Sequence, residues 1–164
     1  MCILCYLGNK NIHSNIRTVF QESNDAIAST STTYSLSPGD SFSGILNSNG
    51  DRDWVEINLN ASERYTFDLT GSVSGDGSLT DPLLRLYDSN GVLVAEDDDG
   101  GDGFESRLTY TALSSSTFYL SAGSYNDLYN GSYLLSTTSS NNTSPSTRNF
   151  GSFLPNSDIE SSTW

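Results

Sequence analysis

Trp54-Val55-Glu56-Ile57-Asn58-Leu59 and, one short turn later, Tyr65-Thr66-Phe67-Asp68-Leu69-Thr70 decide the fold class. In the first stretch Val55, Ile57 and Leu59 share one face, and Glu56 and Asn58 share the other. In the second, Tyr65, Phe67 and Leu69 alternate with Thr66, Asp68 and Thr70. Successive side chains of a strand point to opposite faces, so this alternation marks a sheet with one apolar and one wet side. The pattern spreads outward in both directions. Tyr34–Leu36 and Phe42–Leu46 precede it; Leu84 and Leu86, Leu108 and Tyr110, Phe118, Leu120 and Ala122, and Tyr133 and Leu135 follow. Asn90-Gly91 stands between Leu86-Tyr87 and Val92-Leu93-Val94, which predicts a hairpin with a type I′ turn and positive φ at both central residues. The count is about eight or nine strands, with turn signals every ~8–12 residues, the spacing of a sandwich or barrel. No helical period interrupts them, which argues against a parallel α/β sheet.

Three zones differ in texture. Residues 1–20 form an N-terminal extension without clear periodicity. Residues 21–138 carry the strand pattern. Residues 139–164 are rich in Ser, Asn and Thr and read as a linker or disordered tail. Met1–Phe20 does not read as a signal peptide, because its apolar run Ile3–Leu7 is short and no small-residue cleavage site follows. The export route is therefore not legible; a start placed elsewhere, or a longer parent chain, would account for that. Cys2 and Cys5, the only cysteines, lie in the extension, so the strand zone has no disulfide. A lone C-x-x-C is a weak zinc pattern.

Acidic residues outnumber basic ones 20 to 7, for a formal charge of −13. Nucleic-acid binders need a basic face and anionic membranes attract basic segments, so neither partner is expected. No stretch is long and apolar enough to predict membrane insertion. The acids cluster in three places. Glu22 and Asp25 precede the first expected strand, and Asp51 and Asp53 flank Arg52 ahead of Trp54. Asp97, Asp98, Asp99 and Asp102 lie in a glycine-rich loop, with Asp81 able to join them. Two carboxylates about 4 Å apart repel by about 4 kcal/mol at an effective dielectric of 20, so a loop gathering several needs a cation among them or must leave them in water. Calcium takes six to eight oxygens, more than any one segment here supplies. The spacing alone leaves open a calcium site or solvated acidic turns. The EF-hand pattern fails at its sixth position counted from Asp97.

Catalysis is not expected. His13 is the only histidine and lies in the extension, and no G-x-S-x-G elbow occurs. An alternative to a metal module is adhesion without metal. Tyr119, Tyr125 and Tyr129 fall on or near one late hairpin and would present exposed aromatic area to a fibrous protein or polysaccharide.

The ordered series of motifs resembles the bacterial pre-peptidase C-terminal domain, over about residues 21–138. It runs from Glu22-x-Asn24-Asp25 through Gly50-Asp51-Arg52-Asp53-Trp54 and Tyr65-Thr66-Phe67-Asp68-Leu69 to Asp81-Pro82-Leu83-Leu84-Arg85-Leu86-Tyr87-Asp88. Asn90-Gly91, Asp97-Asp98, Ser106-Arg107-Leu108, Phe118-Tyr119-Leu120 and Gly131-Ser132-Tyr133-Leu134-Leu135 complete it. The resemblance implies a jelly-roll-like antiparallel β-sandwich without catalytic activity, attached to peptidase or other domains of secreted or cell-surface proteins. Related collagen-binding domains of clostridial collagenases hold calcium between an acidic N-terminal linker and a loop before a strand. Carried over by position, Glu22, Asn24, Asp25, Asp51 and Asp53 are the expected ligands. Asp81, Asp97, Asp98, Asp99 and Asp102 form the second acidic cluster.

Overall fold

The computed structural model describes residues 17–140. Cys2, Cys5, His13 and the tail beyond Ser140 lie outside the described residues. In chain order the strands are β1 (Val19–Gln21), β2 (Ser35–Leu36), β3 (Ser41–Leu46), β4 (Asp53–Leu59) and β5 (Arg64–Thr70). They continue with β6 (Pro82–Asp88), β7 (Leu93–Asp97), β8 (Ser106–Thr111), β9 (Ser116–Ser124) and β10 (Gly131–Ser139). They form two five-stranded sheets, ordered β1-β3-β10-β5-β8 and β2-β4-β9-β6-β7. Among β3 to β10 every pairing is antiparallel, and the chain alternates between layers except at the β6–β7 hairpin, interleaving as a jelly roll does. The β-sandwich expected from the alternation is thus the observed fold.

The strands number ten, against about eight or nine expected, and the antiparallel sandwich carries two parallel edges. The parallel pairings are β1 to β3 and β2 to β4. β1 is exposed along its length, so it buries no alternating apolar face that would make it visible in sequence, whereas β2 falls within the expected Tyr34–Leu36 strand and buries Leu36. Both cover edges that would otherwise invite pairing with another chain. β1 also begins before residue 21, and β10 ends one residue beyond 138.

Between the layers lie Val55, Ile57, Leu59, Leu84, Leu86 and Leu120 from one sheet. Phe42, Leu46, Phe67, Leu69, Tyr133 and Leu135 face them from the other. The parity read from β4 and β5 is therefore correct. It also turns Asp53 inward, because that residue is in phase with Val55. The outer face of the second sheet is not wet throughout. Trp54 stacks on Tyr87 at 4.2 Å, Tyr119 packs beside it at 5.9 Å, and the Thr32 hydroxyl donates to the Trp54 carbonyl at 2.6 Å.

The Asn90-Gly91 hairpin forms between β6 and β7, but not as a type I′ turn. Only Gly91 takes positive φ, at 75°. Asp88 organises the turn instead, accepting through Oδ1 from the backbone N–H groups of Asn90 and Val92, both at 2.9 Å. A bulge between Leu86 and Tyr87 absorbs the changed register.

Candidate metal centres

β4 carries its first residue into one end of the sandwich. There Asp53 is fully buried, and its Oδ2 accepts a 2.7 Å hydrogen bond from the Tyr133 hydroxyl on the opposite sheet. Tyr133 reaches it because Gly44 lies directly across from it in the β3–β10 ladder. A Cβ on Gly44 would collide with the phenol oxygen. Asp53 Oδ1 has no hydrogen-bond partner among the described residues. Glu22 and Asp25, from the segment after β1, bring carboxylate oxygens to the same place, so that all three residues offer oxygens within 4.8 Å of one another. Burial pushes the Asp53 carboxyl up to about 8 against the pull of the Tyr133 hydrogen bond, and the charges of Glu22, Asp51 and Asp25 push in the same direction. Burial raises Glu22 as well, although its oxygens accept from the Ala26 N–H at 2.9 Å and the Ile45 N–H at 2.7 Å.

Two of the five expected ligands play other parts. Asp51 closes the turn after β3, accepting from the Asn47 N–H at 2.6 Å and the Arg52 N–H at 2.8 Å. It adds negative field to Asp53 and Glu22 but stands outside the three-carboxylate group. Asn24 contributes its backbone to a local clasp, in which its N–H donates to the Tyr34 hydroxyl and its carbonyl accepts from that hydroxyl. Asn47 is absent from the residues expected here, since nothing in its own neighbourhood marks it. It joins the two acidic segments, because its side-chain amide donates to Asp25 at 2.8 Å while its backbone serves Asp51.

The second cluster also contracts. Asp81, Asp98 and Asp99 bring oxygens within 4.8 Å of one another. Burial raises Asp81 and Asp98, and the charge of Asp99 raises both further. Asp98 Oδ1 is buried and unpartnered among the described residues. Asp97 is diverted, because its Oδ2 accepts the Gly100 N–H at 2.9 Å and the Arg107 N–H at 2.7 Å. Asp102 is not among the clustered residues; its charge acts on Arg107. Glu105 anchors this loop to the Gly71–Ser74 turn, accepting from the Gly71 and Ser74 N–H groups and from the Ser74 hydroxyl.

No protein-family model matches the chain, and no curated protein matches it. Among solved structures it is similar to the pre-peptidase C-terminal domain of collagenase from Bacillus anthracis. Identity is 16%, the TM-score is 0.50, and the alignment covers 64% of this chain and 93% of that one. The fold is that of a pre-peptidase C-terminal domain. A second similar structure is PliG, a periplasmic inhibitor of g-type lysozyme from Aeromonas hydrophila, at 8% identity, covering 74% of this chain and 99% of that one. Its TM-score is 0.40, too low a likeness to support a functional comparison.

On this pre-peptidase C-terminal fold the three tyrosines do not form one exposed surface. Tyr119 is only 7% exposed, inside the Trp54 aromatic group, which corrects its reading as a surface contact. Tyr125 is 45% exposed and borders a cleft over β6 and β7, whereas Tyr129 borders a different one beside Phe104. No helix among the described residues is long and apolar enough to cross a membrane.

Proposed function

We propose that the chain is a non-catalytic accessory module of a secreted or cell-surface protein, and that calcium bound by Glu22, Asp25 and Asp53 rigidifies it. One observation carries this reading: the wholly buried Asp53 has an unpartnered oxygen, and two further carboxylates gather beside it. A carboxylate so placed stays folded by keeping a proton or by sharing a cation. The donors are all oxygens, which suits a hard ion, and two oxygens on one calcium lie at most about 5 Å apart. The 4.8 Å spread meets that limit. Such an ion would tie the segment after β1 to the first residue of β4, and so the exposed parallel edge to the core. Asp81, Asp98 and Asp99 offer a second locus of the same chemistry. Carboxylates gathered in threes suit a cation better than an acid–base pair with divided roles. The module would then serve the stability, targeting or substrate binding of neighbouring domains, a peptidase among them.

Scanning calorimetry near pH 7.5 tests the reading. Calcium at one hundred times its dissociation constant adds about 2.7 kcal/mol to folding. The melting temperature should rise with calcium, fall with chelator, and lose the part of this response due to the first group in the Glu22→Gln, Asp25→Asn double variant. A melting curve indifferent to calcium refutes the proposal.

A further inference from the structure

Three loops meet at one end of the sandwich: the turn after β5, the loop before β8 and the segment joining β9 to β10. Val73 on the first, Phe104 on the second and Tyr129 on the third line a cleft of about 490 Å³, and Ser72, Thr80 and Asp81 complete its wall. Its apolar groups are open to solvent. Phe104 is 60% exposed, Val73 50% and Tyr129 38%. Single exposed apolar residues are ordinary, whereas several gathered around one concavity mark a contact surface.

The cleft is preformed. Glu105 is buried directly after Phe104 and accepts from the Gly71 and Ser74 N–H groups and the Ser74 hydroxyl, which locks the second loop against the first. A Cβ on Gly103 would stand 3.3 Å from Val73, so these two loops approach closely. Ser124 holds the Tyr129 backbone, accepting from its N–H at 3.1 Å and donating to its carbonyl at 2.9 Å. A side chain entering the cleft therefore demands little ordering of the protein.

Charge selects the occupant. No basic side chain lines the cleft. The exposed Asp76 and Asp102 stand on the loops that carry Val73 and Phe104, while Arg52, Arg85 and Arg107 are engaged by Asp127, Glu96 and Asp68. Asp81 is set aside for the cation proposed between it, Asp98 and Asp99. Three carboxylates outweigh one doubly charged ion, so that wall stays negative with or without it. A second copy of the chain, at a formal charge of −13, would be repelled. The described chain enters and leaves at the opposite end of the sandwich, where the Thr18 and Thr137 N–H groups both donate to Asp40. The complement to this end is a basic polypeptide that carries an apolar side chain.

We propose that this cleft docks an extended basic segment of another protein, with one aromatic or aliphatic side chain seated among Val73, Phe104 and Tyr129 and the flanking lysines or arginines facing Asp76 and Asp102. The surface uses only solvent-exposed groups and does not rest on cation binding; a melting curve indifferent to calcium would leave it standing.

The test uses the full chain, isotope-labelled and followed by NMR, once in calcium and once in chelator. The end-blocked peptides Lys-Lys-Phe-Lys-Lys, Lys-Lys-Ala-Lys-Lys and Glu-Glu-Phe-Glu-Glu, and the neutral sugar cellotetraose, are titrated in turn. The first peptide should shift the amides of Val73, Phe104 and Tyr129 saturably in both conditions and bind about tenfold more tightly than the alanine peptide, the effect of burying much of one phenyl ring. The acidic peptide should not bind. Raising salt from about 0.05 M to about 0.5 M should weaken binding several-fold, because exposed charges are screened. Phe104→Ala, at an exposed position that leaves the fold intact, should weaken it about tenfold. Absence of saturable shifts overturns the proposal, as does undiminished binding in the variant. Equal affinity for the phenylalanine and alanine peptides also overturns it, since the peptide would then be a mere counter-ion. Binding confined to chelator, with shifts at Asp81, Asp98 and Asp99, would place the peptide in the cation group and overturn it too. Cellotetraose binding more tightly at these residues than any peptide would do the same and make the cleft a sugar site.

Discussion

Replacing Asp53 with asparagine should stabilise the metal-free protein while removing the response to calcium that the Glu22–Asp25–Asp53 group supplies. Asp53 titrates near 3.8 in an unfolded chain and at about 8 in the folded one, chiefly because of burial. Below pH 3.8 both states hold the proton, so the group makes no difference to stability. Between that pH and about 8 the folded state keeps a proton that the unfolded state has released. Stability must then fall as pH rises, because the slope follows the difference in bound protons. The interval from 3.8 to about 8, at about 1.36 kcal/mol for each pH unit, sets a ceiling of about 6 kcal/mol lost by pH 8. The substituted amide would carry no charge to desolvate. Its oxygen would still accept from Tyr133, and its nitrogen would offer a donor toward Glu22 and Asp25. Urea denaturation in chelator from about pH 4 to about pH 9 should show the wild type losing stability across the interval while the Asp53→Asn variant's dependence is much flatter. In calcium at about pH 8 the ranking should reverse, since only the wild type gains the ion. The reasoning is refuted if the variant is the less stable protein at that pH in chelator, or if the wild-type slope survives the substitution.

Further outcomes follow from packing and charge elsewhere. Gly44→Ala drives a methyl into the Tyr133 oxygen and should cost about 1–3 kcal/mol in equilibrium unfolding, as overpacking does. A neutral effect would show that Tyr133 can move away from Asp53. Burial pushes Glu105 up, yet the hydrogen bonds from Ser74 and Gly71 together hold it below its ordinary value. Its stabilisation is therefore present above pH 4.5 and lost as the solution is acidified through the depressed folded value. Glu105→Gln should cost about 1–2 kcal/mol at neutral pH and progressively less toward about pH 3, measured by denaturation at each pH. A loss independent of pH would contradict that account. The Arg52–Asp127 pair is about one-third exposed on each side, so a double-mutant cycle should return about 1 kcal/mol or less. A much larger coupling would mean that the pair supports the Tyr125–Asp127 turn beyond its own contact energy.

Alternation along β4, β5 and β9 was enough to state the sandwich, because a strand half-buried in a two-layer protein must repeat every second residue. The same parity holds one residue further back: Asp53 is in step with Val55, Ile57 and Leu59, which places a carboxylate indoors. Acidic clustering singled out Glu22, Asp25, Asp81, Asp98 and Asp99, all of which the fold gathers into groups of carboxylates. It could not separate them from Asp51, Asp97 and Asp102. Asp51 and Asp97 are spent on backbone N–H groups of their own loops or of the neighbouring strand, and Asp102 lies outside the cluster.

Local sequence determined what depends on local sterics and burial: strand positions, the inward faces and the glycine-rich turns. Tertiary structure alone decided which distant side chains meet. Tyr133 lies eighty residues from Asp53 and touches it only because β3 and β10 pair with Gly44 opposite. Asn47 links Asp25 to Asp51, and β1 joins as a parallel edge without a period of its own. Contacts closed by the folding of the whole chain leave no imprint on neighbouring residues, so no reading of successive positions could have supplied them.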